Sequence, residues 1–417
     1  MKCKSNDYVI QVFDSPDQVN AADWNDLLRL QSEPSPFMRH EYLHALHASG
    51  SATPETGWTP RFITLEQDGA LVAACPLYLK THSYGEYVFD QAWANAYAQH
   101  GLGYYPKALV AVPFTPVPGS RLLARGAVER LLLLQALIEW CKAEQLSSLH
   151  LLFCGVDDLQ ACEQAALMLR HTVQFHWNNQ APMLAATRAA LPPEEAHFAL
   201  GRPGGETRFY GDFEDFLASL SQEKRKKIRQ ERRKVADAGV NFRCATGAAI
   251  TPQDWDFFYR CYERTYLEHG NAPYLSREFF RMMAGTMPEN WLLFVAQRQG
   301  QDIAASLIAI DASGAVPAAY GRYWGALERV DCLHFEACYY QPLQWCIAQG
   351  YRRFEGGAQG EHKMARALLP VKASSAHWLA QPEFAAAVER FLEREDQGIG
   401  HYLESLGQRS PFKVAPK

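Results

Sequence analysis

The feature that most restricts what this chain can fold into is that it carries one plan twice. "YVIQVFDSPDQVNAADWNDLL" and "VNFRCATGAAITPQDWDFFYRCY" each run from an alternating strand through a loop into a helix bearing Asp-Trp, at 23/24 and 254/255. "SPFMRHEYL" pairs with "APYLSREFF" (Pro36/Pro273, Phe37/Tyr274, Glu41/Glu278, Tyr42/Phe279), and "DGALVAACPLYL" with "QGQDIAASLIAI" (Gly69/Gly300, Val72/Ile303, Ala73/Ala304, Ala74/Ala305). Trp-Cys-x-Ala recurs at 140–143 and 345–348, Phe-x-Gly at 153–155 and 354–356, and His-Trp at 176/177 and 377/378. The matches keep their order, so one half is a divergent copy of the other.

Each half reads strand, helix, helix, β-hairpin, further strand, helix, strand. Trp255, Phe258, Tyr259 and Tyr262 fall at i, i+3, i+4 and i+7, as do Phe213, Phe216, Leu217 and Leu220 behind an N-cap candidate at Asp212. "FITLEQDGALVAACPLYL" and "WLLFVAQRQGQDIAASLIAI" are paired apolar runs split by a polar Gly turn, which predicts hairpins. This order argues for α/β domains with mixed, mostly antiparallel sheets flanked by helices. The expected division is a first domain over 1–179, an inserted surface loop over 180–208, and a second domain over 209–417 that includes a basic helix at 221–238.

With 417 residues, 48% of them hydrophobic, the chain can bury cores of this size twice. Its formal charge of -5 gives no overall pull towards nucleic acid or anionic lipid, so any polyanion site must be local. The start lacks an apolar signal-peptide core, and no run approaches the roughly 18 apolar residues of a membrane span. A cytoplasmic protein is therefore expected. The 10 cysteines contain no C-x-x-C pair, and the histidines are scattered, so neither a disulfide framework nor a metal site is predicted.

The doubled order of one strand, two helices, three antiparallel strands, a helix and a strand resembles the acyltransferase fold of the GNAT superfamily in two tandem copies. The chain is most similar to the FemAB-like group of N-acyltransferases, related to the Fem enzymes that branch peptidoglycan. The resemblance rests on "SPFMRHEYLHALHASG", "CPLYLKTHSYGEYVFDQAWANAY", "YYPKALVAVPFTPVPGSRLL", "FHW", "DFLASLSQEKRKKIRQERRKV", "YGRYWG", "LHFEACYYQ" and "GAQGEHKMARALLPV". Two features depart from it. A Pro-, Gly- and Ala-rich stretch separates "FHWNN" from "YGDFEDFL", and Pro342 lies inside the helix expected after "LHFE", which it should kink or split near Cys338.

The copies differ where chemistry would sit. After Phe-x-Gly the first continues "VDDLQACEQ" and the second "GAQGEHKMAR". A GNAT-like domain, as the resemblance implies, directs an amine onto an activated acyl carbon, which needs a route for the ammonium proton and donors for the oxyanion. Candidate bases are His334, Glu336, Glu361 and His362; Lys363 and Arg366 would hold a phosphate or carboxylate beside the Gly-rich turn. The resemblance singles out Lys363, because the matching segment of Fem enzymes ends in a Lys near the reacting carbonyl. Gln359, Arg322 and Tyr323 complete the expected second-half site. The competing reading is a glycine turn leading into a solvated charged helix start, with His334 structural and Glu336 ion-paired to Arg322 or Arg329.

In the first half, Lys80, His82, Tyr84, Glu86, Asp90 and Lys107 interleave with aromatics in a way that suits a polar acceptor; "SYGEYVFD" also fits an edge strand with alternating faces. "EKRKKIRQERRK" has eight basic residues against two acidic ones, a local charge of +6. Lys224, Arg225, Lys226 and Lys227 on it would meet tRNA phosphates or a pyrophosphate, or else form a solvated face with Glu231 paired to its neighbours. The expectation is an N-acyltransferase with no tightly bound cofactor, moving an acyl or aminoacyl group to an amine, with a peptidoglycan precursor as acceptor and aminoacyl-tRNA as donor. An acyl-CoA or acyl-carrier donor is the alternative, though "YGRYWGALERVD" lacks the R/Q-x-x-G-x-G/A pyrophosphate loop. A non-catalytic peptidoglycan-recognition module is the third reading.

Overall fold

The computed structural model describes residues 8–180, 208–358 and 360–413, so the expected insertion lies, but for its end residues, outside the described part. The first repeat runs β1 (Tyr8–Phe13), α1 (Ala21–Arg29), α2 (His40–Ala48), β2 (Trp58–Gln67), β3 (Ala70–Lys80), α3 (Gln91–Gln99), β4 (Lys107–Val110), a two-residue β5 (Leu123–Ala124), α4 (Ala127–Ala143), β6 (Ser148–Cys154), α5 (Val156–Gln164) and β7 (Met168–Asn178). Two helices follow, α6 (Phe213–Ser219) and α7 (Gln222–Asp237). The second repeat is β8 (Val240–Thr246), α8 (Pro252–Glu268), α9 (Arg277–Thr286), β9 (Trp291–Arg298), β10 (Gln301–Asp311), β11 (Ala318–Ala326), a turn Leu333–Phe335, a π-helix Glu336–Tyr340, α10 (Gln341–Ala348), β12 (Arg353–Ala358), a 3₁₀ helix Glu361–Arg366, β13 (Leu369–Leu379) and α11 (Pro382–Gln408).

Local chemistry accounts for these elements. Asp212 caps α6 by accepting from the Asp215 N–H at 2.7 Å, and Thr251 with Asp254 forms a capping box at the start of α8. The apolar stripes predicted on both helices are buried, each such side chain contributing about 1.5–3 kcal/mol. Both hairpins turn through two residues of positive φ, Asp68-Gly69 and Gln299-Gly300, the backbone that matches the twist of the flanking strands. Pro342 sits in the first turn of α10 and cannot donate to the Cys338 carbonyl; the interruption takes the form of the π-helix. "SYGEYVFD" is not an edge strand. Gly85 and Tyr87 take positive φ, which breaks any strand, and the segment leads irregularly into α3.

Contacts divide the chain into two compact units, one of Met1–Val173, Pro273–Pro288 and Lys372–Tyr402, the other of Gln174–Ala272, Glu289–Val371 and Leu403–Lys417. The units therefore differ from the repeats, which exchange segments. In the first unit the sheet runs β1-β2-β3-β4-β6-β13, antiparallel but for β4 and β6. Leu133, Leu134, Leu137 and Cys141 of α4 pack on it. The borrowed α9 meets its counterpart α2, with Tyr42 and Phe279 edge to face at 5.3 Å. In the second unit the order is β8-β9-β10-β11-β12-β7, again with one parallel pair, β11 and β12. Both units thus share the GNAT-like plan, a mostly antiparallel sheet with one central parallel step.

Candidate active site

In the second unit the parallel ladder joins only Ala318–Tyr320 to Arg353–Glu355, although β11 continues to Ala326 and β12 to Ala358. Beyond that point the two strands have no registered pairing, and β12 gives way to the segment that carries the charged constellation. Gly356 is required there: a Cβ on it would lie 2.3 Å from Leu368 Cδ2 and 3.2 Å from the Phe175 carbonyl. The 3₁₀ helix buries Lys363, Met364 and Arg366 and leaves Glu361 and His362 outward.

Lys363 is 5% exposed and donates to the Gly357 carbonyl at 3.1 Å. Desolvation lowers its pKa to about 8. It is an ammonium at neutral pH in a desolvated setting, where a hydrogen bond to developing negative charge is strong. Cys338, within the π-helix, receives the Ser306 hydroxyl at 3.7 Å, and burial pushes its thiol up to about 12. It is a neutral thiol beside the lysine.

Arg366 is a strut. It is 2% exposed, donates to Glu231 of α7 at 2.9 and 3.1 Å and to the His362 carbonyl at 2.7 Å, and lies over the Phe335 ring at 3.5 Å. Tyr340 also donates to Glu231. The expectation that Glu231 pairs with its helical neighbours is thus corrected: it falls between Ile228 and Val235 on the buried stripe, and it anchors the charged loop to α7. Glu336 is likewise held from α7. Its carboxylate accepts from Arg232 Nε at 3.1 and 3.2 Å and from Gln341 at 2.8 Å, instead of from Arg322 or Arg329. Its carboxylate is thereby tied to α7 and to the start of α10.

His334 packs edge to face with Trp324 and Tyr339 at 5.5 and 5.7 Å. Desolvation, then the nearby His362, Arg366 and Lys363, lower its pKa to about 4, so it is neutral at physiological pH. His362 faces the Tyr339 hydroxyl at 3.4 Å, and Glu361 pairs with Arg409 at 2.8 Å on the surface. Arg322 lies over the Tyr323 ring at 5.1 Å, on the part of β11 that pairs with β10 beyond the ladder to β12; Gln359 lies outside the described residues. His176 and Glu355, which the sequence does not single out, stand 3.7 Å apart on paired β7 and β12, with Arg353 3.0 Å from Glu355. Burial drives His176 down to about 3. His176 lies in the repeated His-Trp pair and Glu355 in the repeated Phe-x-Gly, which are their traces in the sequence.

On α7, Lys224 pairs with Glu223, while Arg225, Lys226 and Lys227 have no partner among the described residues. The first-half candidates form a separate network in the first unit. Lys107, fully buried, donates to Glu86 at 2.7 Å, to Ser83 at 2.8 Å and to Asp90. Tyr104 joins Asp90 at 2.7 Å and His150 at 3.2 Å, and His150 meets His377 at 2.8 Å. Lys80 is buried with its ammonium 3.6 Å from the Trp58 ring centre, and desolvation lowers its pKa to about 7. Only Tyr84, 72% exposed, stands out in solvent. The His82 ring accepts from the Tyr84 N–H at 3.2 Å. Among the described residues no group of three or more His, Cys, Asp or Glu could hold a metal ion, and no helix is long and apolar enough to cross a membrane.

Of solved structures, the chain resembles the C-terminal domain of a putative lysylphosphatidylglycerol synthetase from Agrobacterium fabrum (10% identity, TM-score 0.51, 90% of this chain and 96% of that one). It also resembles FemX (10%, 0.49, 89% and 98%) and a tandem GNAT protein from the clavulanic acid biosynthesis pathway (12%, 0.44, 90% and 99%). No curated protein matches the chain. The family model described as FemAB-like, peptidoglycan biosynthesis/recognition, matches residues 15–183 and 206–414, which is nearly the whole sequence. With the doubled plan, the central parallel step in each unit and the charged segment after β12, that match makes the chain a member of the FemAB-like family.

Proposed function

We propose that the chain is a transferase that moves an acyl or aminoacyl group from a tRNA-bound donor to an amine of a peptidoglycan precursor, with the reaction in the second unit. The observation that carries this reading is Lys363, a buried ammonium at the end of the unpaired β11–β12 stretch, present in one copy of the repeat only. The amine attacks the acyl carbon, and the carbonyl oxygen becomes an oxyanion that Lys363 stabilises by its N–H. The amine's proton passes to neutral His334 or to solvent, and the tRNA hydroxyl leaves with a proton. Glu336 contributes by holding Arg232, and thereby α7, against the π-helix. Family membership supports the acceptor class.

Two measurements on the full chain test this. Turnover with charged tRNA and a peptidoglycan precursor should fall by roughly 10²–10³ in Lys363→Ala, the loss typical of one oxyanion donor. Unchanged turnover sinks the role of Lys363. Filter retention of charged tRNA across a salt series should show a steep slope that flattens when Lys224, Arg225, Lys226 and Lys227 become Gln. Weak retention that is equal in both proteins removes tRNA and points to acyl-CoA or acyl-carrier donors, and saturable precursor binding without any product points to a recognition module.

A further inference from the structure

A cavity of about 530 Å³ opens in the second unit between α6, α7 and the start of β8, next to the π-helix. Its size lies in the range of small-molecule sites, roughly 300–1,000 Å³. Arg229, Arg232 and Arg233 of α7 line it together, because residues three and four apart share a helix face. Two carboxylates, Glu214 and Glu336, also reach it and leave one positive charge in excess.

These charges are not equally committed. Glu336 is buried and takes up Arg232, which also donates to Gln344 at 3.0 Å and lies over Phe213 at 4.8 Å. Arg229 pairs at 2.5 Å with Glu214, but both are more than half exposed, and an ion pair in water is worth little. Arg233 is exposed and has no partner among the described residues. Two guanidinium groups are thus available to an anion at the mouth, with a third fixed behind them. The rest of the wall is apolar, with Phe242 half-buried, Ala236 exposed and Leu217, Val235 and Val240 almost wholly buried, and the amide of Asn241 is at its edge.

We propose that this cavity binds a small nucleotide-like phosphate ester, its phosphates on Arg233 and Arg229 and its planar, apolar end against Phe242 and Ala236. Guanidinium groups suit phosphate oxygens through paired N–H bonds, and an aromatic and aliphatic floor suits a flat base. The site stands apart from Lys363 and does not rest on the transfer reaction. Arg232 joins the cavity wall to Glu336 of the π-helix.

The test is calorimetric titration of the full chain with ADP and, separately, with inorganic pyrophosphate at low salt. ADP should bind with a Kd below about 1 mM and at least about fivefold more tightly than pyrophosphate. Arg233→Gln and Arg229→Gln should each weaken ADP about tenfold, the effect of losing one charge-assisted hydrogen bond. Lys234→Gln, on the same helix but with a side chain that does not line the cavity, should leave it unchanged. Absence of ADP binding overturns the proposal, and so does equal affinity for ADP and pyrophosphate, which leaves the apolar wall without a role. An equal loss in Lys234→Gln and Arg233→Gln also overturns it, since it assigns binding to diffuse surface charge.

Discussion

Replacing Glu231 by Leu should release the charged loop from α7 at a cost set by what it leaves behind. Arg366 is 2% exposed, and Glu231 is its carboxylate partner at 2.9 and 3.1 Å. Removing one member of a buried pair strands the other charge, which costs about 3–5 kcal/mol. Removing both, as Glu231→Leu with Arg366→Met, leaves the Tyr340 hydroxyl without its acceptor, about 1–3 kcal/mol, and takes the guanidinium from the carbonyl of His362, an exposed residue that water can reach. The double variant should therefore be more stable than Glu231→Leu alone by about 2 kcal/mol. Urea unfolding followed by tryptophan fluorescence measures both. If the double variant loses as much as the sum of the two single variants, Arg366 and Glu231 act independently and the strut reading is refuted.

Three further outcomes follow from the geometry. Lys363 has a folded pKa of about 8, below its unfolded value of 10.5, so its ammonium is lost as pH rises through 8. The transfer rate should fall above that pH, while Lys363→Arg should abolish the alkaline limb; over the same window, 8 to 10.5, the lysine's contribution to stability rises with pH because the unfolded chain binds the extra proton. Gly325→Ala should destabilise the second unit by more than about 3 kcal/mol in denaturant titration, since its Cβ would lie 1.9 Å from the Cys261 carbonyl of α8. Lys107→Met should cost about 3–5 kcal/mol at neutral pH by stranding the Asp90 carboxylate, since burial already raises Glu86 to about 7, and less at about pH 4, where Asp90 can take up a proton; an equal loss at both values contradicts the network.

What the sequence determined by itself was whatever depends on neighbours along the chain. The repeat, the capped α6 and α8 and the two hairpins are local, because 3.6-residue spacing, caps and Gly turns act within a few residues. The asymmetry between "VDDLQACEQ" and "GEHKMAR" is also written in the chain itself, and it marks the loop of Lys363. Contacts between distant segments decided the rest. Glu231 lies in a run of cations, and nothing local tells that its partner stands 135 residues away on the loop; the spacing 228, 231, 235 places it on the buried face but cannot name what it meets there. Sequence points Glu336 to a partner on β11 or just after it, yet the carboxylate pairs with α7, because the π-helix turns it that way. The repeats also exchange α9, parts of β7 and β13 and most of α11. Sequence sets which residues can be buried and charged; packing chooses the pairs, because the cost of burying a charge is met only by a partner in three dimensions.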